Sequence, residues 1–181
     1  MSNQLLAKIT HILFDLDGLL IDTESCYTIA FNNLTKKFGK EFNWDLKVRC
    51  MGLSPIQSSQ LVISELELPL TVEELLAQTH ELFEIAIKDV ELMPGSERLV
   101  RHLHRNNIPM AIATGSNSQQ FATKIAKHKH FFTESNYFRH NVLAGDDPHV
   151  KRGKPFPDVF LEAMNRFESD LKPENILVFI F

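Results

Sequence analysis

The feature that most constrains the fold is a set of four apolar runs without polar alternation. They are residues 9–14 (ITHILF), 108–113 (IPMAIA), 140–144 (HNVLA) and 176–181 (ILVFIF). A half-exposed strand alternates apolar and polar residues, whereas a strand covered on both faces does not. Helical patterns lie between the later three runs, and strands that alternate with helices form right-handed βαβ units. The sequence therefore predicts an α/β protein with a doubly wound parallel sheet.

Residues 23–91 interrupt this alternation, because they contain helical signals and no convincing strand. The signals are an apolar stripe that ends at Gly39, Ser54 before Pro55 as an N-cap, and Thr71 with Glu74 as a capping box. A block of about 70 helical residues is too long for an ordinary connection between strands. We predict a helical cap at residues 21–91, inserted after the first strand, and a core formed by residues 1–20 and 92–181.

Polar residues follow the predicted strands at the points where these strands end. They are Asp15 and Asp17 after the first run, Thr114, Gly115 and Ser116 after the second, and Lys154 after the third. Ligands of open α/β sheets bind outside the carboxyl ends of the strands, so these side chains should lie close together. Each alone has a common structural explanation, as a turn, a helix cap or a surface lysine. Together they predict a phosphate site with an acidic corner that suits a metal ion.

These residues resemble the motifs of the haloacid dehalogenase-like (HAD) superfamily. In that superfamily a D-x-D motif, a Thr or Ser after the second strand, a lysine and a final acidic pair occur in this order. Three longer segments resemble its pseudouridine 5'-phosphatase group, namely FDLDGLLIDTE (14–24), LMPG (92–95) and AGDDPHVKRGKPFPDVFL (144–161). The resemblance covers essentially the whole chain, and it implies a HAD-like, Rossmann-like core with an inserted α-helical cap.

The resemblance also implies roles for the two carboxylates. Asp15 would be the nucleophile and a ligand of Mg²⁺. Asp17 would be the general acid/base, and its main-chain carbonyl would also bind the metal. An aspartyl-phosphate intermediate would divide one difficult displacement into two easier ones.

The remaining matched residues would bind the substrate. Thr114 and the amides of Gly115 and Ser116 would hold the phosphoryl oxygens, and Lys154 would neutralise charge between the nucleophile and the phosphate. The implied activity is a Mg²⁺-dependent phosphatase acting on a small nucleotide or sugar phosphate, with pseudouridine 5'-phosphate as the favoured substrate.

The C-terminal segment departs from the superfamily pattern. The acidic pair that follows the fourth strand in the superfamily aligns with Ile180 and Phe181, which do not bind a hard cation. Asp146 and Asp147, after the third run, are weaker candidates to replace it. We therefore expect a core that is incomplete at its C-terminus, a weakened metal site and little turnover by this chain. Two alternatives stay open, a non-catalytic remnant that binds phosphate or a partner and a phosphosugar mutase.

Composition excludes several classes of partner. The formal net charge of -4 argues against general nucleic-acid binding, which needs a basic surface. No apolar stretch reaches the roughly 18 residues that span a bilayer, so no membrane partner is expected. Cys26 and Cys50 are too few for a disulfide framework and favour a cytoplasmic location. The expected partner is a small phosphorylated metabolite, and residues 176–181 are expected to promote self-association as an apolar sheet edge.

Overall fold

The structure is a computed structural model that describes residues 8–167 and 170–181. Residues 1–7, 168 and 169 of the predicted core lie outside the described residues. The chain divides into two compact units. One comprises Met1–Asp22 and Glu91–Phe181 and is called the α/β unit, and the other comprises Thr23–Val90 and is called the helical unit.

Within the described residues, the α/β unit contains a single parallel sheet. Its four strands are β1 (His11–Phe14), β2 (Met110–Thr114), β3 (Asn141–Leu143) and β4 (Ile176–Phe179). The strand order is β3-β2-β1-β4, and every neighbouring pair is parallel. This arrangement confirms the predicted α/β class. Because all strands run the same way, their carboxyl ends meet at one edge of the sheet.

Seven α-helices accompany these strands in the described part of the chain. They are α1 (Thr23–Lys36), α2 (Trp44–Cys50), α3 (Pro55–Leu66), α4 (Val72–Ala86), α5 (Ser96–Arg105), α6 (Ser118–Ile125) and α7 (Asp158–Asn165). None of the described helices combines the length and the apolar character that crossing a membrane requires.

Burial explains why the apolar runs do not alternate. All five residues of β2 are buried, because β1 and β3 pair with its two edges and apolar side chains pack against its faces. Leu13 and Val142 pack with Val159 and Ala163 of α7 in one core cluster. The edge strand β4 is only partly buried, and it ends at Phe179 rather than at residue 181 as predicted. The third run was also predicted too long, since β3 covers only three of its residues.

The helical unit has its own core and the predicted helix starts. Leu34, Val62 and Leu75 are fully buried within one cluster. Ser54 caps α3, and Thr71 caps α4 through a capping box in which Thr71 and Glu74 satisfy each other's backbone N–H groups. These caps confirm the predicted starts of both helices, because a cap depends only on neighbouring residues.

Candidate active site

Asp15 lies where β1 ends and is held from three sides. Its backbone N–H donates a hydrogen bond to Phe179 O of the neighbouring strand (2.9 Å). The backbone N–H of Leu16 donates to Asp15 Oδ1 (2.8 Å), and Lys154 Nζ lies 2.5 Å from Asp15 Oδ2. The Asp15 side chain is only 9% exposed. A nearly buried carboxylate at this position therefore has both oxygens partnered, one by an amide and one by an ammonium group.

Asp17 follows in a tight loop that turns the chain away from the sheet. The loop closes through Leu16 O, which accepts hydrogen bonds from the backbone N–H groups of Leu20 and Ile21. Gly18 has a φ of 69°, a left-handed conformation that glycine adopts without steric cost. The sharp turn after Asp17 thus leaves both carboxylates of the D-x-D motif at the carboxyl end of β1.

The end of β2 brings two hydroxyl groups to Asp17. Thr114 Oγ1 and Ser116 Oγ each lie 3.4 Å from Asp17 Oδ2. The backbone N–H of Ser116 donates to Thr114 Oγ1 (3.2 Å), which fixes the loop between them. The structure therefore brings Thr114 and Ser116 together with the D-x-D motif across neighbouring strands.

Backbone N–H groups at the start of α6 donate hydrogen bonds to side chains of the protein. Asn117 is its N-cap and accepts from the backbone N–H of Gln120 (2.8 Å). The N–H of Asn117 donates to Gln120 Oε1 (3.1 Å), and the N–H of Ser118 donates to Asp146 Oδ2 (2.9 Å). These amides have partners within the protein, so the hydroxyls of Thr114 and Ser116 lie beside a capped helix.

Asp146 and Asp147, the weaker metal candidates, are engaged elsewhere. Hydrogen bonds from Ser118 lower the pKa of the Asp146 carboxyl group. Asp147 Oδ2 lies 2.6 Å from the guanidinium of Arg166, and Asp147 Oδ1 accepts from the backbone N–H of His149 (3.0 Å). Both carboxylates therefore tie loops to helices, and their suggested role as metal ligands stays a prediction.

The donor set around Asp15 and Asp17 decides whether Mg²⁺ suits this position. No group of three His, Cys, Asp or Glu side chains placed to hold a metal occurs in residues 8–167 and 170–181. Mg²⁺ takes oxygen ligands and is usually bound by one or two carboxylates, with water and substrate phosphate filling the other positions. The Asp15 carboxylate and the main-chain carbonyl of Asp17 would supply two such oxygens from one short loop, so the residues present fit Mg²⁺ with few protein ligands.

Lys124, near the end of α6, is a site residue that the sequence analysis missed. Its side chain is only 10% exposed, and Nζ lies 2.7 Å from Asp17 Oδ1. This contact is an ion pair without hydrogen-bond geometry, whereas Lys124 Nζ donates a hydrogen bond to Ser116 Oγ (2.8 Å). One signal could have revealed it. Lys124 follows Phe121 by three residues and precedes Ile125, so helical spacing places it on the buried face of α6.

Comparison with known proteins agrees with this geometry. The sequence profile of the haloacid dehalogenase-like hydrolase family matches residues 12–179. The chain belongs to this family. It is 40% identical over 179 residues to a Drosophila melanogaster protein named "Probable pseudouridine-5'-phosphatase", and the match covers 99% of this chain and 76% of that protein. It is also 40% identical to the Arabidopsis thaliana (DL)-glycerol-3-phosphatase 1, mitochondrial, over 95% of this chain and 57% of that protein.

Solved structures confirm the fold. A HAD family hydrolase from Deinococcus radiodurans with bound phosphate and sodium superposes with a TM-score of 0.78 and 20% identity, over 95% of this chain and 72% of that chain. The HAD-hydrolase YfnB from Bacillus subtilis, bound to magnesium, gives a TM-score of 0.67 with 16% identity, over 94% of this chain and 79% of that chain. At such identities the likeness establishes the fold alone.

Proposed function

We propose that the site hydrolyses phosphate monoesters with Asp15 as the nucleophile. The observation that carries the proposal is the convergence of Asp15, Asp17, Thr114 and Lys154 at the carboxyl ends of β1 and β2. Asp15 is nearly buried and has an ammonium group beside it, as an attacking carboxylate requires when its target is also an anion. Two relatives at 40% identity carry phosphatase names, which supports the same chemistry.

The proposed reaction has two steps. The Asp15 carboxylate attacks phosphorus, the bond between phosphorus and the leaving oxygen breaks, and Asp17 donates a proton to that oxygen. Asp17 then accepts a proton from water, which attacks the aspartyl phosphate and releases inorganic phosphate and free Asp15. Lys154 offsets the repulsion between nucleophile and substrate in both steps, while Thr114 and Ser116 orient the phosphoryl oxygens.

Mg²⁺ is the proposed cofactor. Asp15 and the main-chain carbonyl of Asp17 would hold it, and it would supply positive charge beside the phosphoryl oxygens. Charge balance supports this assignment. Lys154, the cation beside the nucleophile, is already paired with Asp15, so the charge of a substrate phosphate is left to be balanced. The magnesium bound to the Bacillus subtilis relative also supports it.

The proposed substrate is a small phosphorylated metabolite in the cytoplasm, with pseudouridine 5'-phosphate as the first candidate. The name of the Drosophila melanogaster relative supports this candidate, and that of the Arabidopsis thaliana relative supports glycerol 3-phosphate as a second. Pseudouridine 5'-phosphate and uridine 5'-phosphate form a matched pair for a test, because they differ only in how the base is attached to the ribose. A preference for the former would show that the base is recognised.

Phosphoenzyme trapping tests the chemistry even when turnover is slow. Protein incubated with ³²P-labelled acetyl phosphate and Mg²⁺ should retain label that hydroxylamine removes, since hydroxylamine cleaves acyl phosphates. Asp15→Asn should abolish both this label and the release of phosphate, whereas Asp170→Asn, an exposed control in the same unit, should change neither.

Other outcomes distinguish the alternatives. Labelling of Asp15→Asn as strong as that of the unmodified protein would refute Asp15 as the nucleophile. Phosphate binding without labelling or turnover would support the non-catalytic alternative. Conversion of one sugar phosphate into its isomer without phosphate release would support a mutase.

A further inference from the structure

A buried lysine lies beside the general acid/base of the proposed reaction. Lys124 is one residue from the end of α6, and the residue as a whole is 8% exposed. Its Nζ atom lies 2.7 Å from Asp17 Oδ1 and 2.8 Å from Ser116 Oγ. Both partners belong to the proposed site, one from the loop after β1 and one from the loop after β2.

Burial of this ammonium group needs a compensating partner. A buried charge is strongly unfavourable unless it is paired and hydrogen-bonded. Lys127, three residues later, shows the contrast, because its side chain is 33% exposed and pairs with the exposed Glu91 at 2.6 Å. Lys124 is therefore a lysine whose partners in the described structure are site residues, whereas Lys127 forms an ordinary surface pair.

With Lys124, both carboxylate oxygens of Asp17 have neighbouring polar groups. The ammonium group meets Asp17 Oδ1, and the hydroxyls of Thr114 and Ser116 lie 3.4 Å from Oδ2. Ser116 links the two sides, because its Oγ accepts from Lys124 and lies within reach of Oδ2. Contacts at both oxygens restrict rotation of the carboxylate, which is itself one-third exposed.

We propose that Lys124 is a positioning residue of the phosphoryl-transfer site, holding the Asp17 carboxylate and the Ser116 hydroxyl in place. Its kinetic consequence rests on the proposed function. Lys124 forms no bond to substrate and exchanges no proton in the reaction. It acts through Asp17, so its loss should matter most where the leaving oxygen most needs a proton.

Leaving-group dependence tests this role. Lys124→Met keeps the length of the side chain and removes its charge, and Lys127→Met is the matched control on the same helical segment. With phenyl phosphate, a poor leaving group, kcat of Lys124→Met should fall by about tenfold to hundredfold, the range expected for a misplaced catalytic group. With p-nitrophenyl phosphate the fall should be much smaller, and KM should change little for both substrates. Equal losses on the two substrates would overturn the proposal.

A double-mutant cycle separates positioning from support of the fold. If Lys124 acts through Asp17, adding Lys124→Met to Asp17→Asn should cause no further loss of turnover, because the group being positioned has already been removed. Additive losses in the double variant would overturn the inference. This arm also serves if the single variant folds poorly, since the double variant contains neither member of the ion pair.

Crystal structures give a readout that does not depend on turnover. In Lys124→Met the Asp17 carboxylate should leave its position between Thr114 and Ser116, and in Lys127→Met it should stay. A carboxylate that keeps its position in Lys124→Met overturns the inference. Absence of turnover in the unmodified protein would instead refute the proposed function, and the positioning role would then be decided by this structural comparison.

Discussion

Replacing Gly145 with alanine should disturb the site from a distance. Gly145 follows β3, and its backbone N–H donates to Ser116 O (3.2 Å). A Cβ atom added there would lie 2.6 Å from the backbone N of Asn117 and 2.8 Å from its Cβ. Ordinary contacts begin near 3.4 Å, so the first distance is 0.8 Å too short. Asn117 is the N-cap of α6, so relief of the clash must move the start of that helix.

The size of the effect follows from the type of clash. The nearest atom belongs to the backbone, which cannot rotate away as a flexible side chain can. Overpacking of this kind costs about 1–3 kcal/mol in the free energy of unfolding. For a chain of this length, about 2–4 °C of melting temperature is lost per kcal/mol, which gives a fall of about 2–12 °C. Turnover should also fall, because α6 carries Lys124 and follows Ser116.

Urea unfolding followed by circular dichroism measures this cost, and Gly153→Ala is the control. A Cβ atom at Gly153 meets nothing within 4 Å, and its backbone does not lie in the left-handed region. The control should therefore change the free energy of unfolding by less than about 0.5 kcal/mol. If Gly145→Ala unfolds at the same urea midpoint as the unmodified protein, the close approach of β3 to α6 is not the constraint inferred above.

Lys154→Met should lower kcat by about a hundredfold or more, because it removes the cation beside the nucleophile. Steady-state kinetics with p-nitrophenyl phosphate measure this loss, and an unchanged kcat would contradict the prediction. Burial lowers the pKa of His140 below 6.5, so as the pH falls the imidazole becomes protonated in the unfolded chain before it does in the folded protein. Stability should therefore fall as the pH drops through 6.5 and level off below the folded pKa, and denaturant titrations of His140→Gln should show a flatter dependence. Thr71→Ala should destabilise the helical unit by about 1 kcal/mol through loss of a cap, measurable as a lower urea midpoint. Residues 176–181 should promote self-association, since β4 is a sheet edge and its neighbours Ile180 and Phe181 are exposed; light scattering that finds only monomer would contradict this.

Features that depend on neighbouring residues could be predicted from the sequence. The apolar run of β2 predicted a strand buried on both faces, and all of its residues are buried. The caps at Ser54 and Thr71 were predicted because their partners lie three residues away. The order of polar residues after the strands also predicted that Asp15, Asp17 and Thr114 would meet, since parallel strands end at one edge of a sheet. The assignment of residues 21–91 as a cap stays a prediction.

Tertiary structure alone decided which charged groups pair across the site. Lys124 lies far from Asp17 in the sequence, and a single lysine in a helix is most often on the surface, so no local pattern predicted their contact at 2.7 Å. Asp146 and Asp147 are further cases, because no local pattern predicted that the backbone N–H of Ser118 and the guanidinium of Arg166 would bind them. The sequence by itself determined where the strands end and which residue types gather there. Only the tertiary structure determined the partner of a buried charge such as Lys124, because a charged group removed from water requires a compensating partner that can come from any part of the chain.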